Sequence, residues 1–323
     1  MLAHCRRAAT AAAVPSRVAQ LRAASTIPRA TVESARTVLN DVAASLPSVR
    51  GSVELDMGHR APYVAVLELK NPAASNSVSL PMMLALSHHA DALEGWQDGR
   101  GLVVRGSSES PTFCSGADLR GGSKFFEPAV GAAMNVVMTD ALRRLAALPL
   151  ISVAALHGPA VGGGAELALS CDYRIMSEDA SIQFVHASRG VVPGWGGAAV
   201  LQDLVGRRSA LWMLASGVKL DSHGCAHFNL VDNVLPAGND MVEAAVSFLA
   251  PLIQPTAQMP STPVVRAIKQ ALGTPGDALE ARQAGEAATF QRLWGGPSQM
   301  AFVASSKYAG GGKDGSASSS SSQ

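Results

Sequence analysis

Two short segments rich in small residues have the composition of a site for negative charge. The first is residues 113–119 (FCSGADL) and the second is residues 157–167 (HGPAVGGGAEL). The glycine run Gly162–Gly164 leads straight into a predicted helix. The unpaired N–H groups and the dipole at a helix N-terminus favour developing negative charge, and glycine lets a ligand come close to the backbone. The second segment therefore predicts a site that stabilises an anion.

The glycine run does not match two common phosphate-binding patterns. Leu167 stands where the dinucleotide-binding pattern requires its third glycine, and no Gly-Lys-Ser or Gly-Lys-Thr follows, as a P-loop requires. On its own, a glycine triplet fits tight packing of a helix on a strand as well as it fits ligand binding. Its interpretation therefore depends on the rest of the chain.

The two segments are positioned by alternating strand and helix patterns. Runs rich in Val, Ile, Leu and Tyr predict strands, and apolar residues at helical spacing predict helices. The predicted strands are 53–55, 63–69, 101–105, 150–156, 173–176 and 182–184, and the predicted helices are 31–46, one entered at 79–81, 129–147 and 165–171. This order predicts an α/β fold with right-handed crossovers, followed beyond about residue 205 by a mainly helical region.

Composition limits the classes of protein that fit. Hydrophobic residues make up 47% of the 323 residues and charged residues 16%, which supports a sizeable buried core. The formal net charge of +1 provides no basic field for nucleic acid, and the longest apolar run, Leu148–Leu156, is too short to span a bilayer. The four cysteines form no CxxC pair, which argues against a zinc site. We expect no metal, no nucleic-acid partner and no membrane partner.

The first 32 residues have the composition of a targeting segment. They contain five arginines and no Asp or Glu, and Ala, Ser and Thr fill most of the other positions. This pattern predicts a mitochondrial transit peptide and a matrix location, with a chloroplast leader or a plain disordered tail as alternatives. The remainder divides into a core at 33–250, a C-terminal helical oligomerisation region at 251–309 and a disordered Gly/Ser tail at 310–323.

Together, the two small-residue segments resemble the enoyl-CoA hydratase/isomerase, or crotonase, superfamily, and the likeness extends over roughly residues 50–308. The resemblance implies an α/β fold of the ClpP/crotonase type, a spiral of β-β-α units with a helical C-terminal region. It implies assembly as a homotrimer or a dimer of trimers. It also implies an acyl-CoA thioester substrate and no separate cofactor, since CoA arrives as part of the substrate.

The resemblance also implies roles for individual residues. The N–H groups of Ala117 and Gly163 correspond to the family's oxyanion hole, and Glu166 matches its glutamate just inside the following helix. Trp195, between glycines, fits either a wall of the acyl pocket or core packing. The residues predicted to bind CoA or substrate are Lys70, Ser115, Ala117, Asp118, Leu119, Arg120, Gly162, Gly163 and Trp195.

Within the superfamily, the sequence most resembles the ethylmalonyl-CoA decarboxylases. The matching stretches are 101–106, 148–154, 164–167, 184–186, 193–197, 219–222 and 294–297, and the last reads Trp-Gly-Gly-Pro, which most crotonases lack. The resemblance implies decarboxylation of ethylmalonyl-CoA, with methylmalonyl-CoA as a second substrate. Because the mammalian decarboxylases are associated with the cytosol, a cytosolic location is the alternative to the matrix.

The acidic residues point in the same direction. Adding water to a C=C bond needs an acid and a base placed together, and hydratases of the superfamily use two glutamates. Glu166 supplies the first, but no Asp or Glu occurs between Asp179 and Asp203, where the second belongs. Loss of CO₂ needs only a stabilised enolate oxygen and one proton. We expect a protonated Glu166 to supply that proton, and His186 to orient the substrate carboxylate, relay a proton or serve only the structure.

Two other functions stay open at this point. An enoyl-CoA hydratase or isomerase of fatty-acid or amino-acid catabolism would use Glu166 with a partner that is not a carboxylate. A non-catalytic relative would bind acyl-CoA or RNA without turning over any thioester. Glu166 together with both oxyanion-hole positions favours an enzyme over the latter.

Overall fold

The computed structural model describes residues 27–46, 50–120, 122–253 and 293–305, with the single positions 265, 266, 269, 287, 290 and 291. The predicted Gly/Ser tail and most of the predicted leader lie outside the described residues. The helix predicted from residue 31 begins at Arg29, and its Val32 is buried. Residues 29–32, which the predicted leader includes, are therefore the first turn of a helix.

Strands and helices alternate along most of the chain, as predicted. The strands are β1 Ser52–Ala61, β2 Val64–Lys70, β3 Gly101–Gly106, β4 Ile151–Leu156, β5 Ala160–Val161, β6 Tyr173–Ser177, β7 Ile182–Gln183, β8 Lys219–Leu220 and β9 Asn233–Leu235. The helices are α1 Arg29–Ala44, α2 Leu80–Glu94, α3 Gly122–Phe125, α4 Pro128–Ala147, α5 Gly163–Leu169, α6 Gly197–Ser216, α7 Ser222–His227, α8 Met241–Ile253 and α9 Pro297–Ser305.

The strands form two sheets. The larger has the order β1-β2-β3-β4-β6-β9, in which β1 is antiparallel to β2 and every later pair is parallel. The smaller has the order β5-β7-β8. Parallel neighbours such as β2 and β3 are joined by helices, because a parallel pair needs a crossover connection. The α/β class and the crotonase-type arrangement are confirmed.

The inner strands of the larger sheet, β2, β3, β4 and β6, are buried on both faces, and their alternate residues enter two separate cores. In β3, Leu102 and Val104 join the core beneath α1, α2, α4 and α5. Val103, which points the other way, joins a second core beneath α8. This explains why β3 and β4 are almost free of charged residues, since neither face meets water.

Helix boundaries follow the local sequence signals. Ser79 caps α2 by accepting a hydrogen bond from the Met82 N–H, and Pro81 occupies the first turn. Asp221 caps α7 in the same way through the Gly224 N–H, as the sequence indicates. Helix α8 runs through the predicted domain boundary at residue 250. Among the helices described, none combines the length and apolar character needed to cross a bilayer.

Candidate active site

The two predicted segments lie side by side as short parallel stretches. The Cys114 N–H donates to the Pro159 carbonyl at 3.3 Å, and the Val161 N–H donates to the Cys114 carbonyl at 2.9 Å. Cys114 is thereby paired with Ala160. Further along, a Cβ on Gly116 would lie 3.0 Å from the Gly163 nitrogen, so the residue before Ala117 lies next to Gly163. The two segments therefore bring both predicted oxyanion-hole residues into the lining of one pocket.

Neither amide is used by the hydrogen-bonding pattern around it. The Val78 N–H donates to the Gly116 carbonyl at 2.7 Å, and the Val78 carbonyl accepts from the Asp118 N–H at 3.0 Å. These two hydrogen bonds leave the Ala117 N–H unused. Gly163 is the first residue of α5, where backbone N–H groups have no partner within the helix. Within the described part of the chain neither N–H has a hydrogen-bond partner, and both residues line the same pocket.

The approach of the two stretches depends on Gly116. Its φ of +90° lies in the left-handed region that disfavours residues with a Cβ. A Cβ at this position would lie 3.0 Å from both the Gly163 nitrogen and the Val161 carbonyl oxygen. Glycine is therefore required here for the conformation and for the space between the two stretches.

Glu166 is hydrogen-bonded through both of its carboxylate oxygens. Its Oε2 accepts from the N–H groups of Trp195 at 2.8 Å and Gly197 at 2.9 Å, and its Oε1 lies 3.3 Å from the Gly194 nitrogen and 3.1 Å from His186 Nε2. The side chain is 2% exposed. Donors surround both oxygens, and such donors stabilise an ionised carboxylate. This donor set conflicts with the expectation that a protonated Glu166 supplies the proton.

His186 contacts Glu166 from a tight turn. It immediately precedes the 3₁₀ turn Ala187–Arg189, and it is 8% exposed. Its Nδ1 is buried and has no hydrogen-bond partner among the described residues. A buried N–H without an acceptor is less favourable than an unshared lone pair. We therefore assign the proton of the neutral ring to Nε2, where it is donated to Glu166.

Every residue predicted to bind CoA or substrate except Lys70 lines the pocket: Ser115, Ala117, Asp118, Leu119, Arg120, Gly162, Gly163 and Trp195. The Arg120 guanidinium forms two hydrogen bonds with the buried Asp118 carboxylate, at 2.8 and 2.7 Å. Arg120 is 46% exposed at its side chain, so it presents positive charge at the pocket rim while bound to Asp118.

Lys70 was predicted to contact CoA, and the structure does not place it in the pocket lining. Its ammonium pairs with the Glu54 carboxylate at 2.6 Å, across the antiparallel β1–β2 pair. Glu54 raises the pKa of Lys70 by accepting this hydrogen bond. The residues just after Lys70 do line the pocket. Lys70 is the last residue of β2, and the chain turns toward the pocket only after Asn71.

Comparison with known proteins identifies the family. The model of the enoyl-CoA hydratase/isomerase family matches residues 60–293. The chain belongs to that family.

Relatives within the family include proteins named ethylmalonyl-CoA decarboxylase. That from Danio rerio is 40% identical over 260 residues, which cover 79% of this chain and 83% of the relative. That from Rattus norvegicus is 37% identical over 257 residues, with the same two coverages. Among solved structures, an enoyl-CoA hydratase from Bacillus anthracis is similar with a TM-score of 0.62 and 25% identity, covering 73% of this chain and 89% of that one.

Three aromatic rings, those of Trp195, Phe290 and Trp294, line the pocket. The Trp195 ring packs directly on the Cα of Gly163, where a Cβ would overlap it, and it is 4% exposed. Trp195 thus both packs in the core and walls the pocket. Phe290 covers Gly194 in the same manner, and Trp294 packs on Gly131 of α4.

Several pocket residues were not found from the sequence. The 3₁₀ turn after Lys70 contributes Ala73 and Ala74, and the segments far along the chain contribute Phe290, Trp294 and Gln299. The only sequence signal for the latter group was the Trp-Gly-Gly-Pro stretch, which marked the resemblance without indicating a place in the fold. The complete pocket has a volume of about 340 Å³.

Two other titratable side chains near the site, those of His157 and Cys114, are buried or bonded in ways that serve the structure. His157, at the end of β4, lies 3.0 Å from the Ser110 carbonyl oxygen through its Nε2, and burial lowers its pKa. Burial raises the pKa of the Cys114 thiol to about 12, which makes it a poor nucleophile. No group of three or more His, Cys, Asp or Glu side chains suited to a metal ion occurs in the part of the chain described.

Proposed function

We propose that this enzyme is an acyl-CoA carboxy-lyase that decarboxylates ethylmalonyl-CoA, and methylmalonyl-CoA as a smaller homologue. The proposal rests on the backbone amides of Ala117 and Gly163, which have no hydrogen-bond partner among the described residues and line the same pocket. The two carboxylates in its described lining are Glu166 and Asp118, and Asp118 is bound by Arg120. The relatives named ethylmalonyl-CoA decarboxylase support the substrate class.

In the proposed reaction, the bond between C2 and the substrate carboxylate breaks and CO₂ leaves. The electron pair moves into the thioester, whose carbonyl oxygen becomes an enolate oxygen. The N–H groups of Ala117 and Gly163 donate to that oxygen, and one such donor typically contributes about 10²–10³ in rate. A proton then adds to C2 and gives butyryl-CoA from ethylmalonyl-CoA.

We assign the delivery of that proton to His186, with Glu166 as its support. The Nε2 atom of His186 lies 3.9 Å from the position that a Cβ on Gly162 would occupy, next to the oxyanion site. When the ring gains a proton from solvent, the Glu166 carboxylate at 3.1 Å stabilises the cation. The pair then carries one extra proton, and passing a proton to C2 returns it to the Glu166 carboxylate and a neutral His186 protonated on Nε2.

The hydratase alternative requires a second acid or base next to Glu166. Among the described lining residues, His186 is the one titratable group in contact with the Glu166 carboxylate. A His–Glu pair lacks the two independent carboxylates that family hydratases use. The pocket therefore favours loss of CO₂ over addition of water.

A substrate panel tests this function. The purified protein would be incubated separately with ethylmalonyl-CoA, methylmalonyl-CoA and crotonyl-CoA, and the products would be measured by mass spectrometry. We expect loss of CO₂ from the first two and little hydration of the third. Fast hydration of crotonyl-CoA without CO₂ release from either malonyl-type thioester would refute the proposal.

We further propose that the protein acts in the mitochondrial matrix as a homotrimer or a dimer of trimers. The acid-free, arginine-rich start of the chain supports the location, with the cytosol as the alternative. Three large apolar side chains on the outer face of α6, those of Leu204, Leu211 and Trp212, are exposed and support association between copies. Clearing unwanted carboxylated thioesters would suit an enzyme of this class.

A further inference from the structure

Gln299 is a buried polar residue of the pocket for which the proposed chemistry has so far no role. It lies in α9 and is 3% exposed, and it lines the pocket together with Trp294 and Val303. Helix α9 packs against the 3₁₀ turn Ala187–Arg189, which follows His186. Gln299 therefore belongs to the same end of the pocket as the His186 turn.

The orientation of the Gln299 amide is set by the backbone. The Gly295 N–H donates a hydrogen bond to Gln299 Oε1. Only the oxygen of the amide can accept this bond, so the NH₂ group must occupy the opposite side. Gly295 itself has a φ of +70°, which turns its N–H back toward α9. The Trp-Gly-Gly-Pro stretch thus engages the oxygen of the Gln299 amide and leaves its NH₂ end available to a ligand.

The NH₂ group of Gln299 has no hydrogen-bond partner among the described residues. The apolar side chains of Met134, Phe290, Trp294 and Val303 line the same pocket. An amide donor without a protein acceptor in a pocket suits a ligand that brings an oxygen acceptor.

We propose that the Gln299 NH₂ group binds the carboxylate of the 2-carboxyacyl thioester and so distinguishes carboxylated substrates from plain acyl-CoA. This inference rests on the proposed decarboxylase function. A carboxylate has only acceptor oxygens, which match the NH₂ donors. A neutral amide orients the carboxylate without neutralising it as an arginine would. A site that only weakly offsets the charge of the carboxylate favours departure of uncharged CO₂.

The substitution Gln299→Glu tests this role. Glutamate retains an oxygen acceptor for the Gly295 N–H and replaces the NH₂ group by an oxygen that repels a carboxylate. We expect KM for ethylmalonyl-CoA to rise at least about tenfold, because a site built to pair one polar group rejects its mismatch strongly. The dissociation constant of butyryl-CoA, which lacks the carboxylate, should change less than about twofold, the size of effect expected for an unaffected contact.

Gln97→Glu is the control, because Gln97 is exposed just after α2 and lies outside this pocket. It adds the same charge and should leave both constants unchanged. Gln299→Met, which removes the amide without adding charge, should weaken the binding of ethylmalonyl-CoA more than that of butyryl-CoA. Melting temperatures would show that each variant folds. Equal changes for ethylmalonyl-CoA and butyryl-CoA, or no change for either, would overturn the role of Gln299.

The two proposals fail in different ways. If the wild-type protein releases no CO₂ from any malonyl-type thioester, the decarboxylase function is wrong. The role of Gln299 is then decided by binding alone, measured by calorimetry with ethylmalonyl-CoA and butyryl-CoA. Selective weakening of the carboxylated ligand by Gln299→Glu would still support it, and parallel weakening of both ligands would reject it.

Discussion

Gly116 is the residue on which the approach of the two amides depends most directly. Alanine here would meet both positive-φ strain and the Gly163 nitrogen and Val161 oxygen at 3.0 Å. We expect Gly116→Ala to lower kcat at least about 10²-fold, as removal of one oxyanion-hole donor does. Steady-state kinetics with ethylmalonyl-CoA would measure this effect.

Gly238→Ala is the control for Gly116→Ala. Gly238 has a similar φ of +86°, but a Cβ there would meet no atom within 4 Å. This variant should lose about 1–2 kcal/mol of stability from backbone strain and retain its turnover. Equal kinetic losses in the two variants would show that strain alone, and not the oxyanion site, explains the effect.

Glu166→Gln changes an acceptor-only group into one with two donors. Its NH₂ group would face the N–H groups of Trp195, Gly197 or Gly194, which now donate to the carboxylate. We therefore expect turnover to fall at least about tenfold and the melting temperature to fall as well, because buried donors would be left unpaired. Glu178→Gln, at an exposed carboxylate that accepts from the Ala237 N–H, is the control and should change neither. Wild-type turnover in Glu166→Gln would remove this residue from the account.

At the residue scale, the sequence predicted what is local and missed what is distant. The resemblance to the family implied the roles of Ala117, Gly163 and Glu166, and all three residues line one pocket. Lys70 was misplaced because its ion pair with Glu54 depends on the β1–β2 register. The surroundings of Glu166 were also unpredictable, since its hydrogen-bond donors lie 20 to 31 residues further along the chain.

At the scale of elements, helix α4 positions the aromatic wall of the pocket. Its Gly131 lies directly beneath Trp294, and a Cβ there would overlap the indole ring. Gly131→Ala should therefore displace Trp294 at a cost of about 1–3 kcal/mol, as overpacking does, although alanine normally favours a helix. We expect kcat/KM for ethylmalonyl-CoA to fall at least about tenfold.

Gly95→Ala provides the comparison for Gly131→Ala. Gly95 follows α2 with a φ of −77°, and a Cβ there would lie 3.5 Å from the Ala92 carbonyl oxygen, an ordinary contact. Its kinetics should match the wild type. If Gly131→Ala also matched the wild type, Trp294 would have no part in shaping the pocket.

The elements themselves were predicted to different degrees, for physical reasons. Strands β2, β3 and β4 were evident because their uncharged runs reflect burial on both faces. Strand β7 was predicted at 182–184, whereas the two-residue strands β5 and β8 carry too little pattern. Strands β8 and β9 also fall in a region predicted mainly helical. The break inside α6 at Gly206, where φ is +76°, was likewise not predicted, since a single glycine is compatible with a continuous helix.

At the scale of the whole molecule, substitutions on the exposed apolar residues of α6 test the proposed assembly of copies. Leu211 is 57% exposed and Trp212 48% exposed, beside the apolar residues of a surface groove. If copies associate through this face, Leu211→Glu should reduce the mass measured by light scattering from a trimer or hexamer toward a monomer. Val38→Glu, at an exposed apolar residue of α1, should leave the mass unchanged. A monomeric wild type would contradict the proposed assembly.

The central claim is that two main-chain amides polarise one thioester carbonyl, and the infrared spectrum of bound butyryl-CoA labelled with ¹³C at C1 measures this directly. Hydrogen bonds from Ala117 and Gly163 should lower the carbonyl stretching frequency below its value in water, because preorganised donors act more strongly in a dry site. Gly116→Ala, saturated with the same ligand, should lose this shift. A wild-type carbonyl frequency equal to that of the free ligand in water would contradict the account.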